Sequence, residues 1–133
     1  MENCIFCKII NGEEKSWKVF ENKKVYAFLD MYPANEYHTL VIPKKHYENI
    51  FDIPESELKE VIIVVKKIAK LYNEKLGIEN IQIINSSGIE AQQDVFHIHF
   101  HIVPRKEGDN NNIRWETYPE LKDKFDNLLE KIQ

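Results

Sequence analysis

The chain has 133 residues, 43% of them hydrophobic and 30% charged, which is the size and balance of one domain with its own core. A formal net charge of -4 excludes the globally basic surface that binds nucleic acid by releasing counterions, but leaves room for a small phosphorylated ligand held by local donors. No apolar run approaches the roughly 20 residues of a membrane helix and no charged-then-apolar leader opens the chain, so a soluble cytoplasmic protein without a membrane partner is expected.

Near the start, Cys4 and Cys7 form a C-x-x-C pair open to three readings: half of a zinc site, a redox pair, or two buried thiols. Nothing before Cys4 could form the strand that a thioredoxin-type redox motif follows. Lys8 to Gly12 reads as a helical turn closed by the glycine. Trp17 and Val19 alternate with Lys18 and Phe20, the polar stretch 21–24 makes a turn, and Val25 to Leu29 returns as a second strand. A loop follows over 30–35, and His38 to Pro43 reads as a third strand.

From Glu55 to Leu76, apolar residues at Leu58, Val61, Ile62, Val65, Ile68, Ala69, Tyr72 and Leu76 have the spacing of a long amphipathic helix, with Pro54 at its first turn and Gly77 at its end. Asn80 to Asn85 is a fourth strand, 86–92 a loop, and Val95 to Val103 a fifth strand. Beyond Pro104, residues 106–112 are too polar for a core and are expected to be a mobile loop. Thr117 and Glu120 have capping-box spacing, opening a last helix with an apolar stripe of Leu121, Phe125, Leu128, Leu129 and Ile132.

The fifth strand carries the chemistry. His97, His99 and His101 stand at every second position, with Phe96, Ile98, Phe100 and Ile102 between them, so one face is apolar and the other imidazole. On a straight strand rising roughly 3.3 Å per residue, His97 and His101 sit about 13 Å apart, too far to share one metal ion. At least one histidine is therefore free for another task. His46 and His97 are candidates to join Cys4 and Cys7, and the four would complete a closed Cys2His2 tetrahedron.

This segment resembles the His-x-His-x-His motif of the histidine triad (HIT) family of nucleotide-binding proteins. The resemblance also covers residues 4–10, Ala27-Phe28-Leu29-Asp30 and the run from His38 to His46, and extends to Arg105. It implies a HIT-like α+β fold: a five-stranded, mainly antiparallel sheet with one long helix and a C-terminal helix, its sheet continued across a homodimer. One domain is expected over 1–133, with 109–133 as its C-terminal loop and helix. Zinc-containing relatives use the ligand set Cys4, Cys7, His46 and His97, which implies a structural zinc ion.

In the site implied by the resemblance, His99 attacks the α-phosphorus of a nucleotide and is transiently nucleotidylated, while His101 hydrogen-bonds the phosphate oxygens and His38 supports that network. Phe28 and Met31 would border the nucleoside, Asp30 would accept from the ribose hydroxyls, and Asn85 or Ser86, with Gln93, would contact sugar and phosphate. Asp94 departs from the pattern, because many relatives have a serine or threonine there. A hydroxyl can donate to a phosphate or leaving group, whereas an ionised carboxylate cannot.

The function this implies is hydrolysis or transfer of a purine nucleoside monophosphate from a phosphoramidate or related conjugate. Two alternatives use the same site, a dinucleoside polyphosphate hydrolase and a nucleotide-binding scaffold with incidental activity. A plain zinc-binding interaction module would have no use for His99 and His101.

Overall fold

The structure is a computed structural model that describes residues 3–133; the first two residues of the expected domain lie outside the described residues. Helix α1 (Ile5–Ile10) is followed by strands β1 (Lys18–Glu21), β2 (Val25–Leu29) and β3 (Thr39–Pro43), helix α2 (Glu55–Leu76), and strands β4 (Ile81–Ile84) and β5 (Phe100–Pro104). A 3-10 segment (Pro119–Lys124) and helix α3 (Phe125–Glu130) end the chain. The strands form one sheet in the order β1-β2-β3-β5-β4, with every neighbouring pair antiparallel.

Alternation sorts the side chains onto two faces. Val25, Ala27, Val41, Phe100 and Ile102 meet the buried stripe of α2, made of Val61, Val64, Val65, Ile68 and Tyr72. On the opposite face, Tyr26, Phe28, Leu40 and Ile42 pack with Phe6 and Ile9 of α1. Strands β2 and β3 are therefore covered on both sides, which accounts for their nearly continuous apolar sequence.

Helix α2 has the bounds that periodicity indicates. Gly77 takes φ +68, a left-handed conformation that suits glycine, and its N–H reaches back to Asn73 and Tyr72. Pro54 is the residue before the helix rather than part of its first turn. The stripe shifts slightly: Val64 is buried while Ile62 and Leu76 are exposed, because neighbouring residues lie about 100° apart around a helix. A buried hydrogen bond from the Tyr72 hydroxyl to Thr39 Oγ1 (2.7 Å) ties α2 to β3.

Four expectations need correction. The first helix starts at Ile5, not Lys8, because Cys4 caps it, its Sγ accepting from the Cys7 N–H at 3.4 Å. The fifth strand pairs only from Phe100. Upstream, Pro43 has no N–H to offer and its carbonyl accepts from the His97 ring, while the Ile98 N–H turns to the Tyr47 carbonyl.

The polar loop after Pro104 is clasped rather than free. The Asp109 side chain, only 4% exposed, accepts from Arg105 (2.8 and 3.0 Å), from Asn35 (2.9 Å) and from the N–H groups of Lys106 and Asn111. These donors, the Arg105 guanidinium first, hold its carboxyl far below the usual range. Lastly, the Thr117–Glu120 capping box does not form. The C-terminal apolar stripe is exposed throughout, since among the described residues no other part of the chain packs on it.

Candidate active site

β5 and the bend before it place the three histidines in different surroundings. The His97 ring is buried, and its Nε2–H donates to the Pro43 carbonyl at 2.8 Å, so Nδ1 keeps its lone pair. Burial pushes its pKa down to about 4, with the nearby His46 and His99 acting in the same direction and the Pro43 carbonyl opposing them. Its Nδ1 lies 3.4 Å from Cys4 Sγ and 3.6 Å from Cys7 Sγ, while His46 Nδ1 lies 3.5 Å from Cys7 Sγ. The four donor atoms all lie within 4.8 Å of one another, a cluster able to hold a metal ion.

His99 is 5% exposed, with its ring edge-on to Phe6 at 5.1 Å between centroids. Its Nδ1–H donates to the His97 carbonyl at 2.8 Å, so in the neutral ring the lone pair is carried by Nε2. The Asn85 side-chain amide holds the next carbonyl, that of His99 itself, at 3.0 Å.

His101 belongs to a chain of defined tautomers. The Ala34 N–H donates to His38 Nδ1 (2.9 Å), so the His38 proton sits on Nε2 and points at His101 Nδ1 (2.9 Å). The His101 proton must then sit on Nε2, its free nitrogen. Burial is the main cause lowering His101 to about 4, with His99 and His38 adding to it and Asp30 and Asp94 opposing it. His38 is lowered too, chiefly by burial, against the opposing charge of Asp30.

A cleft of about 600 Å³ opens over His99 and His101. His38, Gln82, Ser86, Asp94, Arg105 and Trp115 are among the residues that line it. Of the remaining expected nucleotide contacts, Ser86 faces this space while Asn85 is engaged with the backbone. Gln93 turns away and fastens its loop: Nε2 donates to the carbonyls of Glu48 (2.7 Å) and Val95 (3.1 Å), and Oε1 accepts from the Gly88 N–H (2.8 Å). Phe28 is buried against Phe6, and Met31 is exposed on the following loop. The Asp30 carboxylate accepts from the Tyr32 N–H at 2.9 Å with one oxygen and lies 3.4 Å from His38 Nε2 with the other. Asp94 is exposed at the rim of the cleft, with Oδ1 3.4 Å from His99 Nε2.

Sequence reasoning did not assign Arg105, Gln82 or Trp115 to the cleft. Arg105 directly follows the histidine strand and was a usable signal. Gln82 lies in the expected fourth strand, but nothing local directs it to the cleft, and Trp115 has no periodic or motif context; both reach the cleft through the tertiary fold.

The HIT domain profile matches residues 11–108, and the chain belongs to the HIT family. It is 46% identical over 130 residues to an uncharacterised HIT-like protein of Methanocaldococcus jannaschii, covering 98% of each chain. It is 38% identical over 136 residues to an adenosine 5'-monophosphoramidase of Candida albicans, covering 98% of this chain and 90% of that one. Among solved structures, a zinc-bound histidine triad family protein of Mycobacterium smegmatis matches with a TM-score of 0.79 at 32% identity, covering 98% of each chain. In the described residues no helix is long and apolar enough to cross a membrane.

Proposed function

We propose that the protein is a nucleotide hydrolase that cleaves purine nucleoside 5'-phosphoramidates through a nucleotidyl-histidine intermediate. The observation that carries this reading is the orientation of His99: Nδ1–H is committed to the His97 carbonyl, so the lone pair on Nε2 is free for attack. Similarity to an enzyme named for adenosine 5'-monophosphoramidate supports the substrate class.

In the first step His99 Nε2 forms a bond to the α-phosphorus as the bond from phosphorus to the leaving nitrogen breaks. The electron pair stays on that nitrogen, which takes up a proton from solvent and departs as an amine. In the second step water attacks phosphorus, the electron pair of the phosphorus–Nε2 bond returns to His99, and the water's proton is released. Throughout, His101 Nε2–H donates to a non-bridging phosphate oxygen, where a donor contributes most as charge develops. Ser86 in the cleft and Asp30 near the sugar complete the contacts in this reading.

The cysteine–histidine cluster fits a structural zinc ion. Zinc bonds of about 2.3 Å to sulfur and 2.0–2.1 Å to nitrogen make the sulfur–nitrogen edge of a tetrahedron about 3.5 Å, which matches the separations between donors here. Such an ion supplies no chemistry to phosphorus; it would fasten α1 to the bend that orients His99. The same reading includes a homodimer, for which the free edge of β4 and the exposed Ile62 and Ile63 of α2 provide surface.

Turnover of adenosine 5'-phosphoramidate, with an acid-labile, base-stable nucleotidyl adduct trapped on the parent and absent from His99→Ala, tests the mechanism. Tight nucleotide binding with no turnover would favour the scaffold alternative.

A further inference from the structure

The leaving group is the part of the substrate that the preceding reading does not define, and the charges around the cleft bear on it. The Asp94 carboxylate lies 3.4 Å from His99 Nε2. It is held there by the Val95 N–H, which donates to the same oxygen at 2.9 Å, and its side chain is 78% exposed. In the neutral tautomer that the nucleophilic role requires, Nε2 and the carboxylate oxygen are both acceptors, so the carboxylate at this distance favours a donor or cation between or beside them.

Among the described residues lining the cleft, the one fixed positive charge is already paired. Arg105 is the single lysine or arginine among the described residues that line it. Its guanidinium is engaged with Asp109 through Nε and Nη2, with Gln82 through Nη1, and with the Asn111 carbonyl. Asp30 adds a second carboxylate behind His38. A polyphosphate leaving group entering this space would meet the Asp94 carboxylate and, among the described lining residues, no cation that is not already paired.

We propose that Asp94 selects the leaving group by charge, so that this cleft prefers nucleoside 5'-phosphoramidates whose amine portion is cationic and disfavours anionic leaving groups, polyphosphates included. The inference rests on His99 being the nucleophile. With phosphorus about 3–3.5 Å from Nε2 at the point of attack, the leaving nitrogen lies in line beyond it. Charges carried by the leaving group then lie on the order of 6 Å from the Asp94 carboxylate. At such a separation, near a protein surface, one unit charge alters binding by about tenfold. The covalent steps are those already written; Asp94 acts on the approach and orientation of the amine and exchanges no proton in them.

The experiment uses three adenosine 5'-phosphoramidates built on alkylamines of matched length that end in a trimethylammonium, a tert-butyl or a carboxylate group, with diadenosine tetraphosphate as a fourth substrate. For the parent, kcat/KM should fall in the order cationic, neutral, anionic, by about tenfold at each step and so by about 100-fold from cationic to anionic. In Asp94→Ser and Asp94→Asn that ratio should shrink to within about threefold, and activity on the tetraphosphate should rise relative to the neutral phosphoramidate. Because each ratio is taken within one variant, a general loss of activity does not imitate the effect. An unchanged ratio in both variants would overturn the role of Asp94. Failure of the parent to turn over any of the four would overturn the hydrolase reading itself.

Discussion

His38 Nε2 lies 2.9 Å from His101 Nδ1, and because the Ala34 N–H occupies the other nitrogen of His38, the proton between the two rings belongs to His38. One backbone amide on the loop before β3 thus determines which nitrogen of His101 presents a hydrogen to the cleft.

Replacing His38 by Phe should lower kcat for a nucleoside phosphoramidate by about 100-fold while altering the Kd for nucleoside monophosphate little, since the lost donor matters most as charge develops. His38→Gln, which keeps an N–H able to reach His101, should recover part of the rate. Equal losses in kcat for Phe and Gln would show that His38 acts only through packing.

Purified protein should contain about one zinc ion per chain, and Cys7→Ser should lower both metal content and melting temperature, because a closed metal site contributes directly to folding free energy. The motive is the set of donor separations around Cys4, Cys7, His46 and His97. Metal analysis beside thermal melts decides the matter; full zinc occupancy in Cys7→Ser would remove that residue from the ligand set.

His101 has its pKa lowered from 6.5 to about 4 in the fold, mainly by burial. Between those values the unfolded chain binds the proton first, so this group's contribution to stability is present near neutral pH and is lost as pH falls from about 6.5 towards 4. At pH 5 the loss attributable to His101 is about 2 kcal/mol. Urea unfolding of the parent and of His101→Asn at pH 7.5 and pH 5 should give curves whose separation narrows by that order. A constant separation across the two pH values would contradict the burial argument.

Tyr72→Phe removes the buried hydroxyl that donates to Thr39 Oγ1, while Thr39 keeps its own bond to the Tyr37 carbonyl. Stability should drop by about 1 kcal/mol in denaturant titration, with kcat/KM nearly unchanged, because this bond joins α2 to β3 on the face away from the histidines. A large fall in activity at intact stability would mean that α2 positions the site more directly than the packing indicates.

Where local chemistry was decisive, the fold was legible in the sequence. Pro54 and Gly77 bracket α2, and the short, nearly continuous apolar runs of β2 and β3 mark their strands without reference to anything distant. The start of β5 was not legible, because the alternation that runs through Val95 to Val103 continues past the point where Pro43 and Tyr47 redirect the backbone. The clasp on Asp109 was hidden for a similar reason: an aspartate in a polar loop reads as solvated until Arg105 and Asn35 are brought to it. In the candidate site, the surplus of histidines and the C-x-x-C pair pointed to two separate clusters. The directions of individual side chains did not follow from the sequence. Gln93 turning into its loop and Asp94 turning towards His99 depend on φ, ψ and rotamer choices that residue type alone does not determine.

The central claim is that His99 is the nucleophile, and a pre-steady-state acid quench of parent and His99→Ala with adenosine 5'-phosphoramidate tests it most directly. The parent should show a burst of nucleotidyl-protein that is acid-labile and base-stable, and His99→Ala should show none, with kcat lower by several orders of magnitude and the Kd for nucleoside monophosphate within a few-fold of the parent. Substantial turnover by His99→Ala, or an adduct carried by another residue, would contradict the account.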